Sequence, residues 1–132
     1  MRIFLDTNVL VSALTTRGLC ADVLRVVLAE HNLIVGEVVL EELRRVLTER
    51  FRVPPHRVRE AEDFLRAFEV IARPARPADV KVRDEDDRWV LASALAGRAD
   101  ALVTGDEDLL AAGSRETIRI LSPRAFWQEL RR

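Results

Sequence analysis

The chain has 132 residues, of which 48% are hydrophobic and 33% charged, with a formal net charge of -1. This length favours one domain with its own core, so we predict a single domain over residues 1–132. The near-neutral charge argues against a globally basic nucleic-acid-binding protein, and the one cysteine, Cys20, excludes an internal disulfide. No apolar run is long enough to cross a membrane and no signal-peptide pattern is present, so we expect a cytosolic protein.

Short apolar runs alternate with helical patterns along the chain. The predicted strands are 3–5, 33–35, 70–72, 101–104 and 118–121. The predicted helices are 9–14, 21–28, 39–47, 55–68, 89–96, 109–112 and 123–130. Regular alternation of this kind is typical of a parallel sheet with helices on both faces. We therefore predict a three-layer α/β/α fold around a mainly parallel sheet of about five strands.

Asp6 follows the first predicted strand directly. In an open α/β sheet, ligands and catalytic groups gather at the carboxyl ends of the strands, which gives Asp6 a functional interpretation. Aspartate is also a preferred N-cap residue, so Asp6 could instead begin the next helix. The sequence around Asp6 alone leaves both interpretations open.

Several other acidic residues are predicted at the same edge of the sheet. Asp106 and Asp108 follow the fourth strand, and Asp87 begins a helix in the acidic run 84–87. Glu42 interrupts a partly apolar row of the third helix, where solubility does not require a charge. Acidic residues near helix starts can be simple caps favoured by the helix dipole, but an edge this uniformly acidic is less easily explained by capping.

Carboxylates gathered in one cleft repel each other and raise each other's pKa unless a cation is bound. Because no histidine or cysteine stands at ligand spacing, the expected cation is hard and oxygen-binding, Mg²⁺ or Mn²⁺. Such ions serve phosphate chemistry, in which one metal activates water and another stabilises the leaving oxygen. The sequence thus favours a metal-dependent phosphoryl-transfer or hydrolytic site.

Four motifs, in order and over nearly the whole chain, resemble those of PIN-domain ribonucleases, and most closely the VapC-like toxins of prokaryotic toxin–antitoxin pairs. They are LDTNVL at 5–10, LEEL at 40–43, DEDDRWVLA at 84–92 and LVTGDEDL at 102–109. The resemblance implies a Mg²⁺- or Mn²⁺-dependent endoribonuclease acting on single-stranded RNA.

The resemblance also implies roles for individual residues. The catalytic acids it implies are Asp6, Glu42, Asp87 and Asp106. The metal ligands it implies are Asp6, Asp87, Asp106 and Asp108. Asn8 and Thr104 resemble the family's polar supports, although turn and cap hydrogen bonds would explain them equally well.

The resemblance further implies two protein partners, a second copy of the chain and an antitoxin that covers the acidic groove. RNA would approach over an arginine-bearing rim. The candidates for phosphate contact are Arg17, Arg44, Arg45 and Arg88, although arginines in such positions are more often simply solvated helix or loop residues.

Three other functions fit part of the sequence. A phosphatase or phosphotransferase of the haloacid-dehalogenase type would use Asp6 as a nucleophile, but Asn8 stands where its second aspartate is expected and Lys81 lies in an unsuitable segment. A non-catalytic RNA-binding PIN domain would not need four acids. A flap-type DNA nuclease would need helices that this chain is too short to hold.

Overall fold

A computed structural model describes residues 1–115 and 117–131. The five strands are β1 (Arg2–Leu5), β2 (Asn32–Gly36), β3 (Glu69–Ile71), β4 (Ala101–Val103) and β5 (Arg119–Leu121). The seven helices are α1 (Thr7–Thr15), α2 (Leu19–Glu30), α3 (Glu37–Glu49), α4 (Pro55–Arg66), α5 (Glu85–Ala96), α6 (Glu107–Ala112) and α7 (Pro123–Leu130). None of the helices in these described ranges is long and apolar enough to span a membrane.

The strands form one parallel sheet in the order β3-β2-β1-β4-β5, flanked by the helices. This confirms the predicted three-layer α/β/α fold. The central strand β1 is covered on both faces, and its residues Ile3, Phe4 and Leu5 are at most 1% exposed. Complete burial explains why this strand has a continuous apolar sequence rather than an alternating one.

Five of the seven helices begin two to four residues earlier than the apolar periodicity indicates, whereas α4 and α7 begin at Pro55 and Pro123 as predicted. Helix α1 begins at Thr7 because Asp6 caps it, and α5 begins at Glu85 because Asp84 caps it. The first turns of these helices contain polar residues, which carry no hydrophobic periodicity. Capping therefore places Asp87 inside the first turn of α5, with its side chain fixed by a helix.

The junction between β2 and α3 is packed closely. A Cβ atom at Gly36 would lie 2.9 Å from Cζ of Phe4 and 3.2 Å from Cβ of Ser93. Only glycine fits such an approach without displacing its neighbours. The close packing fixes the start of α3, the helix that carries Glu42.

Candidate active site

The strand order creates a cleft beside β1. Strands β2 and β4 lie on opposite sides of β1, so the chain connections diverge at its carboxyl end. Ligand sites in open α/β sheets form at such switch points. Asp6 follows β1 and Asp106 follows β4 by three residues, and the register pairs Leu5 with Val103. The two acids predicted to share an edge therefore come from neighbouring strands.

Asp6 is held by two short hydrogen bonds. Its Oδ1 accepts from the backbone N–H of Thr7 at 2.7 Å, and its Oδ2 accepts from the hydroxyl of Thr104 at 2.7 Å. The side chain is almost fully buried. Burial raises the pKa of Asp6 more than these two bonds lower it, and the charges of Asp106 and Asp84 raise it further. Asp6 is thus both a helix cap and a buried carboxylate at the end of a strand.

Thr104 connects Asp6 and Asp106. Its hydroxyl donates to Asp6 and accepts from the backbone N–H of Asp106 at 3.0 Å. The Asp106 side chain in turn caps α6 by accepting from the N–H of Leu109 at 3.0 Å. Since Thr104 is completely buried, this chain of hydrogen bonds fixes both carboxylates relative to the sheet.

Asp87 has an unusual environment for a carboxylate. Only 8% of the residue is exposed, and among the described residues its buried Oδ2 has no hydrogen-bond partner. Burial raises the pKa of Asp87 well above its usual range, and the nearby charges of Asp106 and Asp6 and a hydrogen bond with Asp106 add to the rise. An unpaired buried acceptor is costly in a folded protein, so this atom points to a bound cation or proton.

Glu42 approaches the same cluster from α3. Burial raises the pKa of Glu42 to about 7, with further contributions from Asp6 and Asp86, while Arg45 lowers it. Neither Glu42 nor Asp87 caps a helix, in contrast to Asp6, which caps α1. Helix capping therefore explains some of these acids but not the whole cluster.

The four carboxylates are the type of ligand that a hard cation prefers, although they do not form a complete coordination site. Among residues 1–115 and 117–131, no three histidine, cysteine or acidic side chains are already arranged to hold a metal ion. Mg²⁺ commonly uses one or two carboxylates and keeps several waters, so a complete protein cage is not required. The unpaired oxygen of Asp87 beside the carboxylates of Asp6 and Asp106 supplies the oxygen donors that such an ion prefers.

Asp108, the other metal ligand implied by the sequence, is engaged by a different partner. Its carboxylate accepts from the backbone N–H of Arg83 at 2.9 Å and from the Arg83 guanidinium at 3.0 and 3.1 Å. Arg83 lowers the pKa of Asp108, whereas the environments of Asp6 and Asp87 raise theirs. A metal role for Asp108 would require this ion pair to open, so the assignment stays a prediction.

Asn8 supports the loop after β4. Its side-chain oxygen accepts from the backbone N–H of Gly105 at 3.2 Å, while the residue is exposed. The bond connects the start of α1 to the segment between Thr104 and Asp106. Asn8 thus positions the loop that carries Asp106, and it makes no hydrogen bond to Asp6 itself.

The four arginines proposed for RNA contact lie in different settings. Arg44 pairs with Glu62 of α4 at 2.8 Å, and Arg88 donates to Glu85 and to the carbonyl of Ala78. These bonds make Arg44 and Arg88 parts of the fold's surface packing. Arg45, 3.8 Å from Asp86, lines a small groove together with Glu42, and Arg17 is exposed in the loop after α1.

Sequence inspection did not identify Arg73 as a site residue. Its guanidinium lies 4.3 Å from the centre of the Trp89 ring and 3.8 Å from Glu41, and it lines the same small groove as Arg45. The segment around Arg73 was predicted as an extended linker, and such a prediction does not indicate which residues its side chains contact. The stacking partner, Trp89, lies in a recognised motif and was the only available signal.

Comparison with known proteins decides the family. The model of the family described as PIN domain matches residues 2–108. The chain belongs to the PIN domain family. The matched range includes Asp6, Glu42, Asp87 and Asp106, so the resemblance noted in the sequence is confirmed at the level of the family. A search of curated proteins finds no relative that matches this PIN domain.

Several solved structures share the fold, and two of them illustrate the likeness. One is a chain of VapBC2 from Rickettsia felis, in a structure with a DNA fragment from the VapBC2 promoter. It superposes with a TM-score of 0.67 at 17% identity, and the match covers 92% of this chain and 98% of that one. VapC20 from Mycobacterium tuberculosis, described as a Sarcin-Ricin loop cleaving toxin, gives a TM-score of 0.62 at 19% identity and covers 86% and 97%. At these identities the likeness concerns the fold alone.

Proposed function

We propose that this PIN domain protein is a Mg²⁺- or Mn²⁺-dependent endoribonuclease that cleaves single-stranded RNA. The observation that carries the proposal is the buried carboxylate cluster, in which Asp87 has an unpaired oxygen and its pKa, like those of Asp6 and Glu42, is raised. A cluster of this kind is unfavourable without a cation or extra protons, and perturbed carboxylates in a cleft are typical of catalytic sites.

Asp6, Asp87 and Asp106 would hold the metal, with Glu42 beside them. The bound ion would supply a nucleophilic water at neutral pH and offset charge on the phosphate. Thr104 fixes the orientation of Asp6 through their 2.7 Å hydrogen bond. Glu42, with a pKa of about 7, would exchange a proton with water near neutral pH and so assist its attack.

The fold neighbours support a toxin–antitoxin setting for this proposal. One belongs to the VapBC2 complex and the other is described as a toxin that cleaves the Sarcin-Ricin loop. By analogy, we expect an antitoxin partner and a homodimer, and a cytoplasmic location remains the prediction of the sequence. The target RNA of this chain does not follow from its fold.

The phosphatase alternative has little support in the geometry. Both oxygens of the Asp6 carboxylate already accept a hydrogen bond and the side chain is nearly buried, and both features hinder a direct attack on phosphorus. A cleavage assay distinguishes the proposed ribonuclease from a non-catalytic RNA-binding domain. The purified protein is tested on single-stranded RNA and DNA with Mg²⁺, with Mn²⁺ and with EDTA.

The same assay includes Asp6→Asn and Asp87→Asn, with Asp63→Asn, an exposed aspartate on α4, as the matched control. Metal-dependent RNA cleavage that is lost in both site variants and kept in the control supports the proposal. Hydrolysis of small phosphate esters without RNA cleavage would instead favour the phosphatase. RNA binding without cleavage on any target would favour the binding module.

A further inference from the structure

A second groove opens beside the acidic cluster. It has a volume of about 300 Å³, at the lower end of the range for small-ligand sites. Thr7, Asn8 and Glu42 line it, so it is continuous with the proposed active site. Val11 and Val46 add apolar surface, which a phosphate group alone would not use.

Phe51 forms an exposed aromatic wall of this groove. It is 46% exposed, although its backbone N–H is anchored to the carbonyl of Val46 at 3.2 Å. The next residue, Arg52, has a φ of +52°, a left-handed conformation that costs a non-glycine residue roughly 1 kcal/mol or more. The fold thus maintains a strained turn directly after an aromatic ring that faces solvent.

Hydroxyl groups and an arginine side chain also line the groove. Thr15 and Thr16 donate their hydroxyl hydrogens to the carbonyls of Val11 and Ser12 at 2.7 Å. The Thr15 oxygen is left available as an acceptor, and the Thr16 oxygen, 3.4 Å from the Ser12 hydroxyl, keeps a second lone pair. Arg50 is exposed and lines the same groove. An aromatic face, hydroxyl acceptors and an arginine are the groups with which proteins bind unpaired bases and their phosphates.

We propose that this groove is a subsite for one unpaired nucleobase of the RNA substrate, which stacks on Phe51 near the scissile phosphate. The inference rests on the proposed ribonuclease function and extends it to substrate recognition. Continuity with Glu42 favours a nucleotide of the bound strand, and the hydroxyl-rich lining suits a base edge better than the apolar face of a protein helix. Stacking is tolerant of sequence, so the subsite would require a base without selecting one.

The test measures binding of short fluorescent single-stranded RNAs by anisotropy in Ca²⁺, with one nucleotide at a time made abasic. The wild type is compared with Phe51→Ala, with Phe51→Trp, and with Phe64→Ala as the matched control, since Phe64 is 44% exposed but lies outside this groove. We expect one abasic position to weaken binding by the wild type roughly 5- to 150-fold, the range for loss of one stacked base. Phe51→Ala should weaken binding of intact RNA similarly and should be insensitive to that abasic position, while Phe51→Trp and Phe64→Ala resemble the wild type.

Additive losses at every position, or unchanged RNA affinity in Phe51→Ala, would overturn the proposal. Cleavage of the same RNAs with Mg²⁺ or Mn²⁺ is scored separately, so a failure of the nuclease assignment is distinguished from a failure of the subsite. Coupling between Phe51 and one base without cleavage would keep the subsite and reject the nuclease.

Discussion

Replacing Asp87 by asparagine should abolish RNA cleavage and at the same time stabilise the metal-free protein. The fold raises the pKa of Asp87 from 3.8 to about 8, because burial and the charges of Asp106 and Asp6 disfavour the ionised form. Since the folded-state pKa lies above the unfolded-state value, the native state binds the proton more tightly. The free energy of unfolding should therefore fall as the pH rises from about 4 to about 8.

The size of the effect follows from this shift. About four pKa units at about 1.4 kcal/mol each give an upper bound of about 6 kcal/mol. Water and relaxation in an open cleft reduce the penalty, so we expect Asp87→Asn to gain roughly 1–3 kcal/mol at about pH 8. Asparagine has nearly the same shape as aspartate, so the substitution creates no cavity. Its amide can also donate a hydrogen bond to Asp106.

Urea denaturation with EDTA at about pH 5 and about pH 8 measures this gain. Asp87→Asn should remove part of the pH dependence, whereas Asp63→Asn should keep all of it. Excess Mn²⁺ should stabilise the wild type more than the site variant, since ligands stabilise the state that binds them. A variant that is no more stable than the wild type at high pH, with the same pH dependence, would refute the electrostatic account of this cluster.

Three further substitutions test other parts of the site. Thr104→Val removes the donor to Asp6 and should cost about 1–3 kcal/mol of stability in urea denaturation together with most of the activity, while Thr104→Ser should largely restore both. Asp108→Asn should weaken Mn²⁺ binding in calorimetry far less than Asp6→Asn if the pair with Arg83 is structural. Gly36→Ala should lower stability by about 1–3 kcal/mol because its Cβ would meet Phe4, whereas at Gly105 the nearest atom is 3.7 Å away and alanine should be tolerated.

Each of these expectations has a contrary outcome. Equal stability of Thr104→Val and Thr104→Ser would mean that the hydroxyl does not support the acids. An equal loss of Mn²⁺ affinity at Asp108 and Asp6 would make Asp108 a ligand after all. If alanine at Gly36 lowered stability as little as alanine at Gly105 is expected to, the packing at the end of β2 would adjust without cost.

The sequence by itself determined the fold class and predicted which acids meet at one edge of the sheet. Complete burial of the central strands gives continuous apolar runs, and alternation with helices dictates a parallel sheet, so local patterns were sufficient. The motif around Asp6 was equally visible, because a carboxylate that ends an apolar strand and begins a helix has a distinctive local sequence. Boundaries shifted by a few residues where capping residues, rather than apolar periodicity, began the helices.

Only the tertiary structure decided how the acids and arginines are partnered. Strand order follows from packing between distant segments, so the placement of β1 beside β4, and with it the Thr104 bridge between Asp6 and Asp106, could not be deduced locally. The same is true of Arg83, whose partner Asp108 lies 25 residues away. Chemical type is encoded residue by residue, whereas burial and pairing, which set each pKa, depend on contacts across the whole chain.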